Sequence, residues 1–470
     1  MSDHFPSGWI SIKLEDISED ISYGYTASSN SEGVGPKFLR ITDIQENKVV
    51  WDLVPYCNID NAKKSSFLLS DGDLVFARTG ATVGKSFLIK GSIPESVFAS
   101  YLIRVRPIKR ELSSYLGYFF KSLDYWKQIT EFSSGIGQPN VNGSKLKALK
   151  VPLPPLAEQT RIAQKLNELL AQVDTLKSRI DGIPTLLKRF RQSVLAAAVS
   201  GRLTEDWRKV LEVPKENPTP FKSALVFSPS EQGRLPKKWS WEMLTKLALL
   251  ESGHTPRKSV TEYWENGDVP WISLQDIRAA DGKEIFETKY MPTELGIKNS
   301  SARLLPKGTV CFSRDISVGY VTVMGRSMAT TQHFANWVCK EKIKPKYLMY
   351  AFMASRDHLT MSGQGSTVKT IYMPALKELR LATPSIEEQT EIVRRVEQLF
   401  AFADQLEAKV KTAQARIDQL TQSILAKAFR GELVPQDPND EPASVLLERI
   451  KAQRAAEPKA KRGKKKAESV

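Results

Sequence analysis

Short segments recur along this chain at one fixed offset, and any fold it adopts must accommodate that repetition. Pro6-Ser7-Gly8-Trp9 returns as Pro236-Lys237-Lys238-Trp239, an offset of 230 in the numbering (236 − 6). Pro154 and Glu158-Gln159-Thr160 return as Pro384 and Glu388-Gln389-Thr390, and Gln192-Ser193-Val194-Leu195-Ala196 as Gln422-Ser423-Ile424-Leu425-Ala426, both again at 230. Between these anchors the offset drifts. Asp43-Ile44 matches Asp276-Ile277 at 233, Phe76-Ala77-Arg78 matches Phe312-Ser313-Arg314 at 236, and Gly135 matches Gly363 at 228. Two copies of one scaffold have therefore acquired different loops, and loops on a rigid scaffold are where binding resides. With 470 residues, 41% of them apolar, the chain can bury a core in each copy.

The most regular stretch closes each copy. Ile162, Leu166, Leu169, Val173, Leu176, Ile180, Ile183, Leu187, Phe190 and Val194 alternate steps of four and three. Ile392, Val396, Leu399, Ala403, Leu406, Val410, Ala413, Ile417, Leu420 and Ile424 repeat the pattern. Each is a sustained heptad stripe, the mark of a helix seeking a helical partner. The stripes share phase and extent, so antiparallel pairing would bury both and relate the copies by a pseudo-two-fold axis. The alternative is two separate helices, each packed on its own domain. The 32 steps from Ile162 to Val194 make a helix about 48 Å long, more than one turn of DNA at about 34 to 36 Å. Ser385 and Glu388 form a capping-box pattern at the second start, and Gly201 and Gly431 stand where left-handed caps belong. Gly182 and Pro184 are expected to break the first helix locally.

The segment before each helix reads as an α+β domain. Lys37 to Ile41, Asp73 to Phe76 and Tyr101 to Val105 have the aromatic and branched content of strands. Leu112, Leu116, Phe119, Phe120 and Leu123 then share one helical face. In the second copy Pro345 suits a first helical position, with Leu348, Phe352 and Leu359 following. Polar residues able to read base edges or hold phosphates gather at strand ends and in Gly-rich loops. In the first copy these are Arg40, Arg78, Thr79, Lys85, Gln138 and Asn140. In the second they are Gln275, Arg314, Gln364 and Lys369. Arginine can grip a guanine edge or a phosphate, and glutamine or asparagine an adenine edge.

Charge points to the same partner class. The formal net charge is +15; the last twelve residues, Lys459 to Val470, carry about +5, leaving about +10 on the body. A basic body favours a polyanion. No apolar run approaches the roughly 18 to 20 residues that span a bilayer, and the start has no signal-peptide pattern. Cys57, Cys311 and Cys339 lack metal or disulfide spacing and suit a reducing, cytoplasmic setting. Catalysis finds no constellation. Gly80-Ala81-Thr82-Val83-Gly84-Lys85-Ser86 is one residue short of a phosphate-binding loop, and a strand rather than a helix is expected after it. The histidines His4, His254, His333 and His358 are dispersed, and no acidic or thiol ligands accompany them at metal-binding spacing. Two other classes stay open: a coiled-coil scaffold whose domains bind peptides, and a self-sufficient nuclease or NTPase built around the near-match loop.

The order domain–helix–domain–helix resembles the specificity subunit (HsdS) of Type I restriction–modification enzymes, especially the Type IA branch. The similarity is carried by Val151-Pro152-Leu153-Pro154-Pro155-Leu156-Ala157-Glu158-Gln159, by Gln192 to Leu203, and by Glu388 to Glu397 with Leu420 to Leu433. The late segment Ala443 to Ala452 also suits that branch. The resemblance implies target-recognition domains at 1–153 and 236–383, helical spacers at 154–207 and 384–433, a linker at 208–235, and a C-terminal helix with basic tail at 434–470. It further implies binding of double-stranded DNA at an asymmetric bipartite site. Two adenine methyltransferase subunits using S-adenosylmethionine and two motor–nuclease subunits using ATP and Mg2+ would be the partners, with no cofactor held by this chain.

Overall fold

The computed structural model describes residues 5–45, 47–133, 140–210, 223–363 and 369–456. Gln138, Gln364 and the basic tail beyond residue 456 lie outside the described residues. Two helices of 44 residues, Leu156–Val199 and Ile386–Phe429, carry the heptad stripes. The chain divides into two compact units, Met1–Asp181 with Thr412–Val470, and Gly182–Lys411. The limits fall inside the long helices, so each unit holds a portion of both.

In the first unit, the main sheet runs in the order Ser18–Tyr23, Leu102–Pro107, Leu74–Ala77, Ser86–Leu88, every pair antiparallel. A second sheet includes Lys37–Leu39 and Ser96–Phe98 as parallel neighbours. The expected strands are therefore present. Leu112, Leu116 and Phe119 are buried on the helix Glu111–Phe119. Leu123 departs from expectation: it opens a separate helix, Leu123–Ser133, and is 53% exposed. The first helix stops because Ser122 starts the next one, its hydroxyl accepting from the Tyr125 amide (3.3 Å).

A short antiparallel pair, Ile10–Lys13 with Lys150–Leu153, leads into the first long helix. There the buried Glu158 carboxylate accepts from the Trp9 indole (2.9 Å) and the Gln436 amide (2.7 Å). Gln159, fully buried, donates to the Pro154 carbonyl (2.7 Å). Arg161 grips Asp440 (2.5 Å). Ile162 and Leu166 join a core with Tyr115, Phe119, Leu425 and Phe429, and the helix Ala443–Ala456 adds Leu446 and Ile450. Burying each such side chain contributes about 1.5–3 kcal/mol. Further along, Lys177 pairs with Asp418 (3.1 Å) and Gln414 donates to Asp181 (2.7 Å).

The second unit repeats this plan. Ala248–Ser252, Phe334–Cys339, Val310–Ser313 and Val321–Met324 keep the same antiparallel order, and Glu284–Ile285 adds a fifth, parallel edge. Pro345 does begin a helix, Pro345–Ala354, whose Phe352 stacks on Phe312 (4.6 Å), but Leu359 falls on a separate helix, Arg356–Ser362. Ser240–Met243 pairs with Arg380–Thr383, the counterpart of the first junction at the same offset of 230. Glu388 accepts from the Trp239 indole (3.0 Å), the Thr204 hydroxyl (2.7 Å) and the Arg208 guanidinium. The Ser385 hydroxyl caps the Glu388 amide (3.3 Å) while the Glu388 carboxylate turns to these partners, so only half of the expected capping box forms. Arg395 reaches Asp206 (2.6 Å) and the Leu203 carbonyl (2.7 Å), and Arg191 reaches Asp404 (2.6 Å) and Glu407 (3.0 Å).

Within the stripes Ile162, Leu166, Val173, Ile392, Val396, Val410 and Ile417 are buried, whereas Leu176 is 49% exposed. Leu169, Ile180, Leu399 and Leu406 are half-buried. Gly201 and Gly431 have φ of +76° and +75°, as expected of left-handed caps. The first long helix also departs from expectation, running unbroken through Pro184. A proline removes one donor and crowds the carbonyl of the preceding turn, and here both it and Gly182 are exposed, with open space beside Gly182.

Candidate nucleic-acid interface

In each unit a strand of the main sheet ends at an arginine that begins a hairpin loop. In the first unit, the loop base is closed by Ala77 N to Lys85 O and Gly84 N to Ala77 O, both 2.9 Å. The second unit uses Ser313 N to Tyr320 O (2.8 Å) and Gly319 N to Ser313 O (3.0 Å). The arginine backbone is then pinned on both sides. Arg78 N donates to Tyr101 O (3.1 Å) and Arg78 O accepts from Val141 N (3.0 Å). Arg314 N donates to His333 O (3.0 Å) and Arg314 O accepts from Ile371 N (2.8 Å). Val141 and Ile371 are themselves counterparts at the offset of 230. Two loops of different length and sequence are thus mounted on one backbone frame.

The same geometry disposes of the near-match phosphate loop. Gly80–Thr82 is a single 3-10 turn and Ser86–Leu88 is a strand, as expected. A phosphate loop needs amides converging at a helix N-terminus, and a hairpin does not provide one.

The side chains on the frame differ between units. The Arg78 guanidinium lies 5.0 Å from the ring centroid of Tyr23, whose hydroxyl accepts from Gly143 N (2.8 Å). Thr79 forms a β-bridge with Asn140, which is exposed, as is Lys85. Arg314 donates to the Gln332 carbonyl (3.1 Å). Among the described residues, no hydrogen-bond partner meets the buried Nε of either Arg78 or Arg314. In both units that nitrogen is shielded from solvent as well as from protein acceptors, so an outside acceptor would have to be met by the terminal guanidinium nitrogens. Lys369 is exposed, two residues before Ile371. Gln275, on the helix Leu274–Ala279, accepts from Lys289 (3.1 Å). From that helix Arg278 donates to Ser317 of the Arg314 loop (2.9 Å). Arg40 stands apart, chelating Asp43 through two nitrogens (2.8 and 3.1 Å), with its charge largely satisfied within the chain.

Sequence reading missed Tyr23 and the Asp315–His333 pair (2.5 Å). Tyr23 has no nearby motif to flag it. His333 could have been found by asking which residue lies opposite Arg314 in the strand register. The thiols take no part. Burial pushes Cys339 up to about 12 and Cys311 higher still, so both stay protonated at neutral pH. Among the described residues no cluster of potential ligands could hold a metal ion, and no helix is long and apolar enough to cross a membrane.

The model of the Type I restriction modification DNA specificity domain matches residues 6–185 and again 236–414. The chain belongs to this specificity-subunit family. It is 35% identical over 438 residues to the Type I restriction enzyme EcoKI specificity subunit of Escherichia coli K12, covering 86% of each chain. The StySPI specificity subunit of Salmonella potsdam is 34% identical, over 87% of this chain and 86% of that one. The crystal structure of the HsdS subunit from Thermoanaerobacter tengcongensis shares the fold, with a TM-score of 0.58 over 91% of this chain and 98% of that one, at 20% identity. As a specificity subunit the chain is a non-catalytic component of a Type I restriction–modification system.

Proposed function

We propose that the two arginine-bearing loops read the two halves of an asymmetric bipartite site in double-stranded DNA. The observation carrying this reading is the pair of identically pinned arginines, Arg78 and Arg314, each with an unmet Nε and different neighbours. One backbone frame with two side-chain sets suits two targets read in one manner. With Arg78, the first reader would use Thr79, Lys85, Gln138 and Asn140; with Arg314, the second would use Gln275, Gln364 and Lys369. Arg40 serves as a loop brace with a backbone contact. The target-recognition domains are 1–153 and 236–383, with spacers 154–207 and 384–433.

The two long helices pair antiparallel as a coiled coil with pseudo-two-fold symmetry and set the unread gap. In the first unit the partner number falls from 418 to 414 as the residue rises from 177 to 181, which supports that direction. Two methyltransferase subunits, supplying S-adenosylmethionine chemistry, and two motor–nuclease subunits, using ATP and Mg2+, dock on this chain in the cytoplasm. Mapping methylated adenines genome-wide, in cells carrying the chain and these partners, should return one bipartite motif. Arg78→Ala should relax sequence choice in one half only, whereas uniform weakening would make Arg78 a phosphate contact. Removing a matched heptad from both helices should change the gap length or abolish binding; an unchanged gap would sink the spacer assignment.

A further inference from the structure

We infer that Ile316 is a specificity-determining residue of the second reader, placing its side chain against the 5-methyl group of a thymine in the major groove. The inference rests on the DNA-reading assignment above. Counting from the pinned arginine, Ile316 is two residues past Arg314, and Gly80 is two past Arg78. Both have left-handed backbones, with φ of +54° and +78°. The loop turn therefore requires that conformation, which glycine meets without cost and a β-branched residue meets only under strain. A side chain at Gly80 would enter open space. The second unit nevertheless places an isoleucine there, and it is 51% exposed. Neither backbone preference nor burial in a core accounts for that choice, and strain kept at one exposed loop position is a signature of function.

The loop around it is fixed. Asp315 is held by His333 (2.5 Å), the buried Ser317 accepts from Arg278 Nε (2.9 Å), and Gly319 N closes on Ser313 O (3.0 Å). Ile316 is thus an apolar side chain on a rigid support, two residues from an arginine with an unmet donor. The major-groove edge offers donors, acceptors and one apolar feature, the thymine methyl. An exposed isoleucine on such a support suits that one apolar feature.

The test uses the full complex with its methyltransferase subunits and duplexes of its mapped site. Each thymine of the second half-site, on either strand, is replaced singly by deoxyuridine, which removes only the methyl. One replacement should weaken binding by about fourfold, the factor for one buried methyl group. Ile316→Gly should bind the all-thymine duplex about that much more weakly and be indifferent to uracil at the same position, while penalties in the first half-site stay as in the parent. Ile316→Asn, which tolerates the left-handed region, should keep the Tm at or above that of the parent. Specific binding with identical uracil penalties in parent and Ile316→Gly would overturn this inference alone. A complex without sequence-specific binding would overturn the DNA-reading assignment as well. A lowered Tm in both variants, with binding weakened across the whole site, would make Ile316 a packing residue and overturn the inference.

Discussion

Glu158 and Glu388 occupy the same place in the two units and are satisfied differently. Each accepts from a tryptophan indole 149 residues earlier, at 2.9 and 3.0 Å. Glu158 completes its bonding with the neutral amide of Gln436, and burial raises its pKa. Glu388 completes its bonding with the Arg208 guanidinium and the Thr204 hydroxyl. One frame has thus been closed by a dipole in one unit and by a cation in the other. A duplicated scaffold constrains geometry more tightly than charge, because hydrogen-bond directions are fixed by the backbone while the partner can be exchanged.

That contrast can be broken most directly at Arg208. Arg208→Met leaves a buried carboxylate without its cation and should destabilise the second unit by about 3–5 kcal/mol. Gln436→Met removes a neutral donor from Glu158 and should cost the first unit about 2 kcal/mol. Hydrogen exchange at amides beside Trp239 and Trp9 reads each unit separately; equal losses would erase the distinction.

Acid titration sharpens the contrast next. Arg394 and Arg395 hold Glu391 down at about 2, below its usual 4.5. Its stabilisation is therefore present above pH 4.5 and lost as pH falls towards 2. Glu158 runs the other way: with its pKa raised, its ionisation costs stability as pH climbs through the folded value, and acid relieves that cost. Glu391→Gln should flatten the acid loss in the second unit, and Glu158→Gln should remove the acid gain in the first. Slopes of one sign in both units would refute this pairing. The smallest effects belong to the exposed ion pairs. Lys177→Ala and Arg191→Ala should each cost under about 1 kcal/mol in urea unfolding, with Arg191, which holds two carboxylates, the larger.

Much of this architecture was legible in the residues because it depends on spacing. Both long helices and the left-handed glycines follow from periodicity and the constant offset between the copies. Leu123 was misplaced because a hydrophobic period does not register the turn at Ser122. Pro184 was overrated as a breaker because exposure lets a helix absorb one missing donor. At the site, Arg78 and Arg314 were identifiable from the matched Phe-x-Arg ends. Their shared pinning by Val141 and Ile371 was not, since those bonds join segments distant from one another in the sequence. Tyr23 and the Asp315–His333 pair depend on strand register, which local pattern leaves open.

The equal distance from each tryptophan to its glutamate has a consequence for heredity. The offsets of 233, 236 and 228 all fall between those two residues, whereas the tryptophan, the glutamate and the helix that follows keep the offset of 230. An exchange confined to one interior would leave the indole, the carboxylate and the helix start as they were. In lineage terms the chain is one mount built twice, whose two interiors have diverged in their loops where the mount has kept its register.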